Sequence, residues 1–145
     1  MKFSINQQDL QKSLSYCQGV IEKRSTLPIL SNVLLDVSNG KLKITATDLD
    51  IIFIQQISNI EILEEGKTTT SSSIMYDIVR KFSSGKKINF SNQSENKLQL
   101  ESERSVFNLN CINASEFPLT DENFNENEFI IKSKELLKLL NKCKI

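Results

Sequence analysis

The chain has 145 residues, 39% of them apolar and 25% charged, with 18 basic against 18 acidic side chains and no histidine. That composition suits one globular domain, or one domain and the beginning of another, and no apolar run approaches membrane-spanning length. The balanced charge means that any nucleic-acid role rests on where the charges lie and not on their sum.

The N-terminus, MKFSINQQDL, lacks the apolar centre of a secretory signal. Cys17, Cys111 and Cys143 are far apart and odd in number. That spacing argues for reduced thiols in a cytoplasm, and against a disulfide frame or a zinc site.

In chain order, Met1 to Ile5 reads as a short strand entering a helix, with Asn6 as N-cap and Asp9 in the first turn, where a negative charge suits the helix dipole. Leu10, Leu14, Cys17 and Ile21 follow the stripe of a helix with one buried face. The opposite face carries Gln8, Lys12 and Ser15. An exposed loop over Glu22-Lys23-Arg24-Ser25 then leads to three strands, Leu30 to Val37, Lys41 to Thr47 and Ile51 to Ile57. Asn39-Gly40 suits a tight hairpin between the first two, because both residues accept positive φ.

Glu64-Glu65-Gly66 reads as a turn and Lys67 to Thr70 as another strand. Ser71 to Ser73 offer N-caps to a second helix over Ile74 to Phe82. Its expected buried stripe is Ile74, Ile78 and Phe82 with Met75 beside it, and its far face is Ser73, Tyr76 and Arg80. Three more strands follow, Lys87 to Ser91, Lys97 to Glu101 and Arg104 to Cys111. Strand, helix and three strands thus occur twice. The fold class read from this order is α+β, with two helices packed on two antiparallel sheets and a pseudo-two-fold axis between the repeats.

Asn113 to Asn127 is acidic, asparagine-rich and contains Pro118, the marks of a linker. After it the N-terminus recurs: Phe129 stands for Phe3, Glu135 for Asp9, Leu136 for Leu10, Lys138 for Lys12, Leu140 for Leu14 and Cys143 for Cys17, all at one spacing. The expectation is a first domain over residues 1–125. Residues 126–145 are then the strand and helix that begin a second copy, inside which the chain stops.

Little supports catalysis. Without histidine the commonest general base and metal ligand is missing. The hydroxyls from Thr68 to Ser73 have no base to activate them and are better explained as strand end and helix caps. Asp48 and Asp50 are read as turn carboxylates in preference to a metal pair. There is no glycine-rich phosphate loop, so no enzyme, cofactor or metal is expected. The faces of the three helices turned away from the cores read as carrying lysine or arginine and no acid, a pattern that attracts phosphates without reading bases.

MKF at the start, Arg24 with Thr26-LPIL-Ser31-Asn32, the Asn39-Gly40 hairpin and Thr45-Ala-Thr-Asp-Leu49 form a specific set. Gly66 with Thr68-Thr69, Asp77-Ile78 with Arg80, and Phe117-Pro118 extend it. By these residues the sequence resembles the N-terminal part of the bacterial β sliding clamps, the processivity subunits of DNA polymerase III, over its whole length. The resemblance implies a non-catalytic DNA-clamp fold. Three such domains make a subunit, and two subunits close head to tail into a homodimer ring that encircles double-stranded DNA, with helices lining the hole. It implies DNA contact through Arg24 and favours a phosphate role for the helix faces read above, with Lys12, Arg80, Gln8, Ser73 and Lys138. Ser73 stands where some relatives carry a basic residue, which thins the cationic lining. The resemblance also implies ring closure along the last strand through Arg104, Phe107 and Leu109. Val106 and Ile74 stand where some relatives carry charged contacts. Polymerase and clamp-loader subunits would dock on other domains, in the cytoplasm and away from any membrane. The competing reading is a cytosolic interaction domain that does not encircle DNA and whose basic helix faces are incidental.

Overall fold

The computed structural model describes residues 1–21, 26–119 and 130–143. Strand β1 (Lys2–Asn6) runs directly into α1 (Gln7–Cys17), because the Asn6 side chain accepts a hydrogen bond from the Gln8 amide at 2.9 Å and caps the helix. Leu10, Leu14, Cys17 and Ile21 are buried, as the spacing of apolar residues requires. A 3-10 turn, Pro28–Ser31, precedes the meander β2 (Asn32–Ser38), β3 (Lys41–Thr47) and β4 (Ile52–Ile57). Asn39 and Gly40 join β2 to β3 at φ of 51° and 75°, the left-handed pair a two-residue hairpin needs.

β5 (Ile60–Glu64) is absent from the sequence-based expectations, which place only a turn at its end. It is an edge strand that pairs only with β1 and leaves Leu63 84% exposed, so it lacks the apolar pattern that marks a buried strand. Next come β6 (Gly66–Ser71) and α2 (Ser72–Val79). This helix starts two residues earlier than expected and is rotated: Met75, Ile78 and Val79 are buried, Phe82 is half-buried beyond the helix end, and Ile74 is 53% exposed. Strands β7 (Lys87–Ser94), β8 (Lys97–Ser102) and β9 (Ser105–Ile112) form the second meander, and a 3-10 turn, Ala114–Glu116, follows. Helix α3 (Ser133–Cys143) is exposed along its length, and Ile130 to Lys132 before it are not in a strand.

The sheet order is β4-β3-β2-β6-β9-β8-β7-β1-β5, with every pair antiparallel. At its middle only Thr69↔Ile112 and Thr70↔Cys111 pair, so two antiparallel sheets meet there across a short seam. The order explains the pseudo-two-fold relation of the repeats. The meander β2–β4 is extended by β6, the first strand of the second repeat, and the meander β7–β9 by β1, the first strand of the first. One face of both sheets packs on α1 and α2, and the core lies between, with Phe3 and Phe90 stacked at 4.6 Å and 8° at its β1–β7 end. Leu30, Leu34 and Phe117 are buried outside that cluster.

Candidate nucleic-acid interface

Helices α1 and α2 lie antiparallel. The Gln7 amide donates to the Val79 carbonyl at 2.9 Å, joining the start of α1 to the end of α2. Gln18 donates to the Ser72 hydroxyl at 2.8 Å, joining the opposite ends. Because sheet and core take one side of the pair, the other side is open. There a groove of about 620 Å³ is lined by Gln8, Gln11, Lys12, Tyr76, Arg80 and Phe82, among others.

The groove gathers hydrogen-bond donors. Lys12 is exposed at mid-helix, with no carboxylate partner among the described residues. Arg80 lies 5.9 Å above the Tyr76 ring and 3.1 Å from the Asp77 carboxylate. Asp77 is exposed on the same helix face, and Asp9 is exposed on α1. The expectation of an acid-free face is therefore corrected: at i, i+3 the aspartate is the surface neighbour of Arg80 and answers part of its charge. Gln8 is exposed and donates to the Ser84 hydroxyl at 2.6 Å. Ammonium, guanidinium, amides and Ser15 together suit the phosphates of a backbone.

The remaining expected contacts are not gathered there. Ser73 is half-buried at the far end of α2, 3.4 Å from the Ser71 hydroxyl that caps the helix. Lys138 is exposed on α3, and Arg24 lies outside the described residues. Sequence reasoning missed Gln11 and Ser84 altogether and assigned Phe82 to the core stripe.

β9, the strand on which ring closure is expected, has one open side. β9 pairs with β8 from Ser105 to Asn110, but on its other side only Cys111 and Ile112 meet β6. From Ser105 to Leu109 that outer side carries no strand among the described residues. Leu109 is buried, while Phe107 is 37% exposed and meets Phe82 edge to face, with centroids 5.7 Å apart. Arg104 is exposed in the turn before β9 and not on the strand, since Glu103 and Arg104 are the residues that reverse the chain. Val106 and Ile74, both more than half exposed, add apolar surface near the edge. A cleft of about 320 Å³ opens where β6 and β9 diverge, with Ile74, Leu109 and Pro28 on its wall.

The shifted ionisable groups lie elsewhere. Lys87 and Ser4 hydrogen-bond the Glu61 carboxylate and hold it below the usual range, and the Met1 ammonium does the same for Glu64 at 2.9 Å. Burial pushes the Cys17 thiol up to about 12 and raises Cys111 as well, so both resist ionisation. Among the described residues no three metal-ligating side chains cluster, and no helix is long and apolar enough to cross a membrane.

Comparison with known proteins gives the family and the fold. Residues 1–121 match the family described as DNA polymerase III beta subunit, N-terminal domain. The beta sliding clamp of Caulobacter vibrioides is 33% identical over 146 residues, covering 99% of this chain and 39% of that protein. The clamp of Escherichia coli is 34% identical over 140 residues, 97% of this chain and 38% of its own length. Among solved structures, Caulobacter crescentus pol III beta superposes with a TM-score of 0.91 at 34% identity over 98% of this chain and 38% of that one. The Pseudomonas aeruginosa DNA polymerase III subunit beta gives 0.91 at 32% identity over 97% and 38%. The chain thus spans about two fifths of the length of these relatives, and it belongs to the DNA polymerase III beta subunit family, the bacterial β sliding clamps.

Proposed function

We propose that this chain supplies the first domain of a ring that encircles duplex DNA and holds a replicative polymerase on it, as a scaffold and not as a catalyst. The observation that carries this is the helix pair. α1 and α2 turn Gln8, Lys12, Ser15 and Arg80 away from both sheets, so that donors converge on one open face. In this reading the lining meets phosphates one at a time and slides, because phosphate contacts carry no sequence information. Arg24, Ser73 and Lys138 belong to the same proposed lining, with Lys138 in a second domain that starts near residue 126. The free side of β9, with Phe107 part-exposed, Leu109 buried and Arg104 in the turn before it, is the proposed edge on which a second subunit closes the ring. Polymerase and loading proteins would engage other domains of the subunit, in the cytoplasm.

The test is topological. A full-length subunit carrying this domain should stay on closed circular DNA and leave when the circle is cut. Retention on linear DNA equal to that on circles would sink the ring. Within the ring, Lys12→Ala and Arg80→Ala should each weaken binding alike on all sequences and flatten the log–log salt dependence by up to about 0.9 for each phosphate no longer held. Arg80→Ala should have the smaller effect, since Asp77 already answers part of that charge. An interaction domain without encirclement has one observation in its favour, this same ion pair, and it predicts no change of salt slope in either variant.

A further inference from the structure

The segment that follows α2 touches both proposed surfaces. Phe82 forms part of the groove wall beside Lys12 and Arg80, and its ring also meets Phe107 edge to face at 5.7 Å and 71°. Two residues on, Ser84 accepts the Gln8 amide from α1 at 2.6 Å. On the other side the segment is tied to the turn that feeds β9. Ser83 donates to the Glu103 carboxylate at 3.0 Å, and Lys86 lies 3.5 Å from the same group. Glu103 itself sits at φ of 54°, in the reversal that sets where β9 begins. Phe107 is 37% exposed on β9, a strand with no partner on one side from Ser105 to Leu109 among the described residues. Groove and edge therefore share one side chain and one short tethered loop.

We infer that Phe82 and its loop, Phe82 to Lys86, couple the groove to the ring-closing edge, so that a duplex backbone seated in the groove tightens the closure of the ring. The inference rests on the function proposed above and adds a linkage to it. A phosphate held by Lys12, Gln8 and Arg80 crowds the open side of Phe82 and restrains the loop that Gln8 holds through Ser84. A restrained Phe82 leaves the Phe107 ring fewer positions, so the partner subunit meets an edge already ordered. The coupling is reciprocal, so a closed ring should hold DNA tighter by the same factor.

The experiment uses the full-length ring and follows subunit exchange with and without a linear duplex long enough to thread it. In the unmodified ring the duplex should slow exchange by about fivefold or more, within the usual range of coupling between sites. In Phe82→Ala, and in Phe82→Leu, which keeps the bulk but removes the aromatic edge, the ratio of exchange rates without and with saturating duplex should fall toward one, whatever either variant does to ring formation or DNA binding alone. Phe107→Ala should weaken the ring with or without DNA, and Lys12→Ala should weaken DNA binding. If those two variants change nothing, the parent reading fails. If they behave as stated and the duplex slows exchange equally with and without the Phe82 ring, or does not slow it at all, the coupling is wrong.

Discussion

The two meanders share an inner face and differ on the outer one. Inward, both present aliphatic and aromatic side chains to the helices: Val33, Leu35, Val37, Leu42 and Ile44 from β2 and β3, and Ile88, Phe90, Leu98, Leu100 and Leu109 from β7 to β9. Outward, the first meander places Leu34 between Thr45 and Thr69, and all three are buried. The 3-10 turns Pro28–Ser31 and Ala114–Glu116 pack on β2 and β6 and bring Leu30 and Phe117, both buried, to this region. The second meander leaves its outer face to water and crosses it with amides, Gln93 donating to Gln99 and Gln99 to Asn108, each at 3.3 Å. One repeat thus needs cover on both sides and the other on one. An antiparallel sheet tolerates either arrangement, provided its outward residues match what lies above them.

That difference is testable, and the inner faces set the scale. Leu35→Ala and Leu100→Ala should each lower stability by about 2–5 kcal/mol, measured by urea unfolding, because both side chains are fully buried. Leu34→Ala on the outer face of the first meander should fall in the same range of about 2–5 kcal/mol if the cover is as tight as its burial indicates. A value near zero would show that the turns merely lie nearby. Gln99→Ala, its counterpart on the uncovered meander, should shift stability by no more than about 0.5 kcal/mol.

Two smaller effects concern the sheet edge and the core. Glu61 and Glu64 have carboxyls held below their ordinary value of 4.5, so their stabilisation is complete above that value and is lost as pH falls through the lower folded one. Glu64→Gln should therefore lower stability slightly at neutral pH and converge with the unmodified protein in acid, which flattens the acid side of the stability–pH curve. An unaltered acid limb would show that the ion pair with Met1 adds nothing to stability. In native protein a thiol reagent should modify Cys143, which is exposed, well before Cys17 or Cys111, which are buried.

Much of the fold was legible because its signals are local. The Asn39-Gly40 pair fixed a hairpin, Asn6 fixed a helix start, and Leu10, Leu14 and Cys17 fixed which face of α1 is buried. β5 was not legible, since an edge strand with Glu61 and Glu64 on it buries too little to leave a pattern. The stripe of α2 was misdrawn because Ser72, which reads as a cap, is the first helical residue and is buried, which turns Ile74 outward. At the groove, Gln8, Lys12 and Arg80 followed from helical periodicity. Asp77 escaped because a face drawn through Ser73, Tyr76 and Arg80 leaves it off, although it sits beside Tyr76 and one turn from Arg80. Phe82 belongs to the expected core stripe and does pack against the core, but its contacts with the groove and with Phe107 were not legible from sequence. It lies past the helix end, where no period governs direction, and its partner Phe107 is brought to it only by the closing of the second meander.

The exchange of first strands between the repeats bears on how the chain comes off a ribosome. β1 is made well before its partner β7, whose five pairing positions run from Lys87 to Ser91. At typical rates of synthesis the strand waits on the order of ten seconds for those residues to be made. The hairpin of β2 and β3 needs only its own neighbours and can form meanwhile. Phe3 and Ile5, side chains destined for the core, therefore spend that interval uncovered by β7. A ribosome-bound chain with β7 still in the exit tunnel should expose them to a chaperone, and one stalled after β7 has emerged should not.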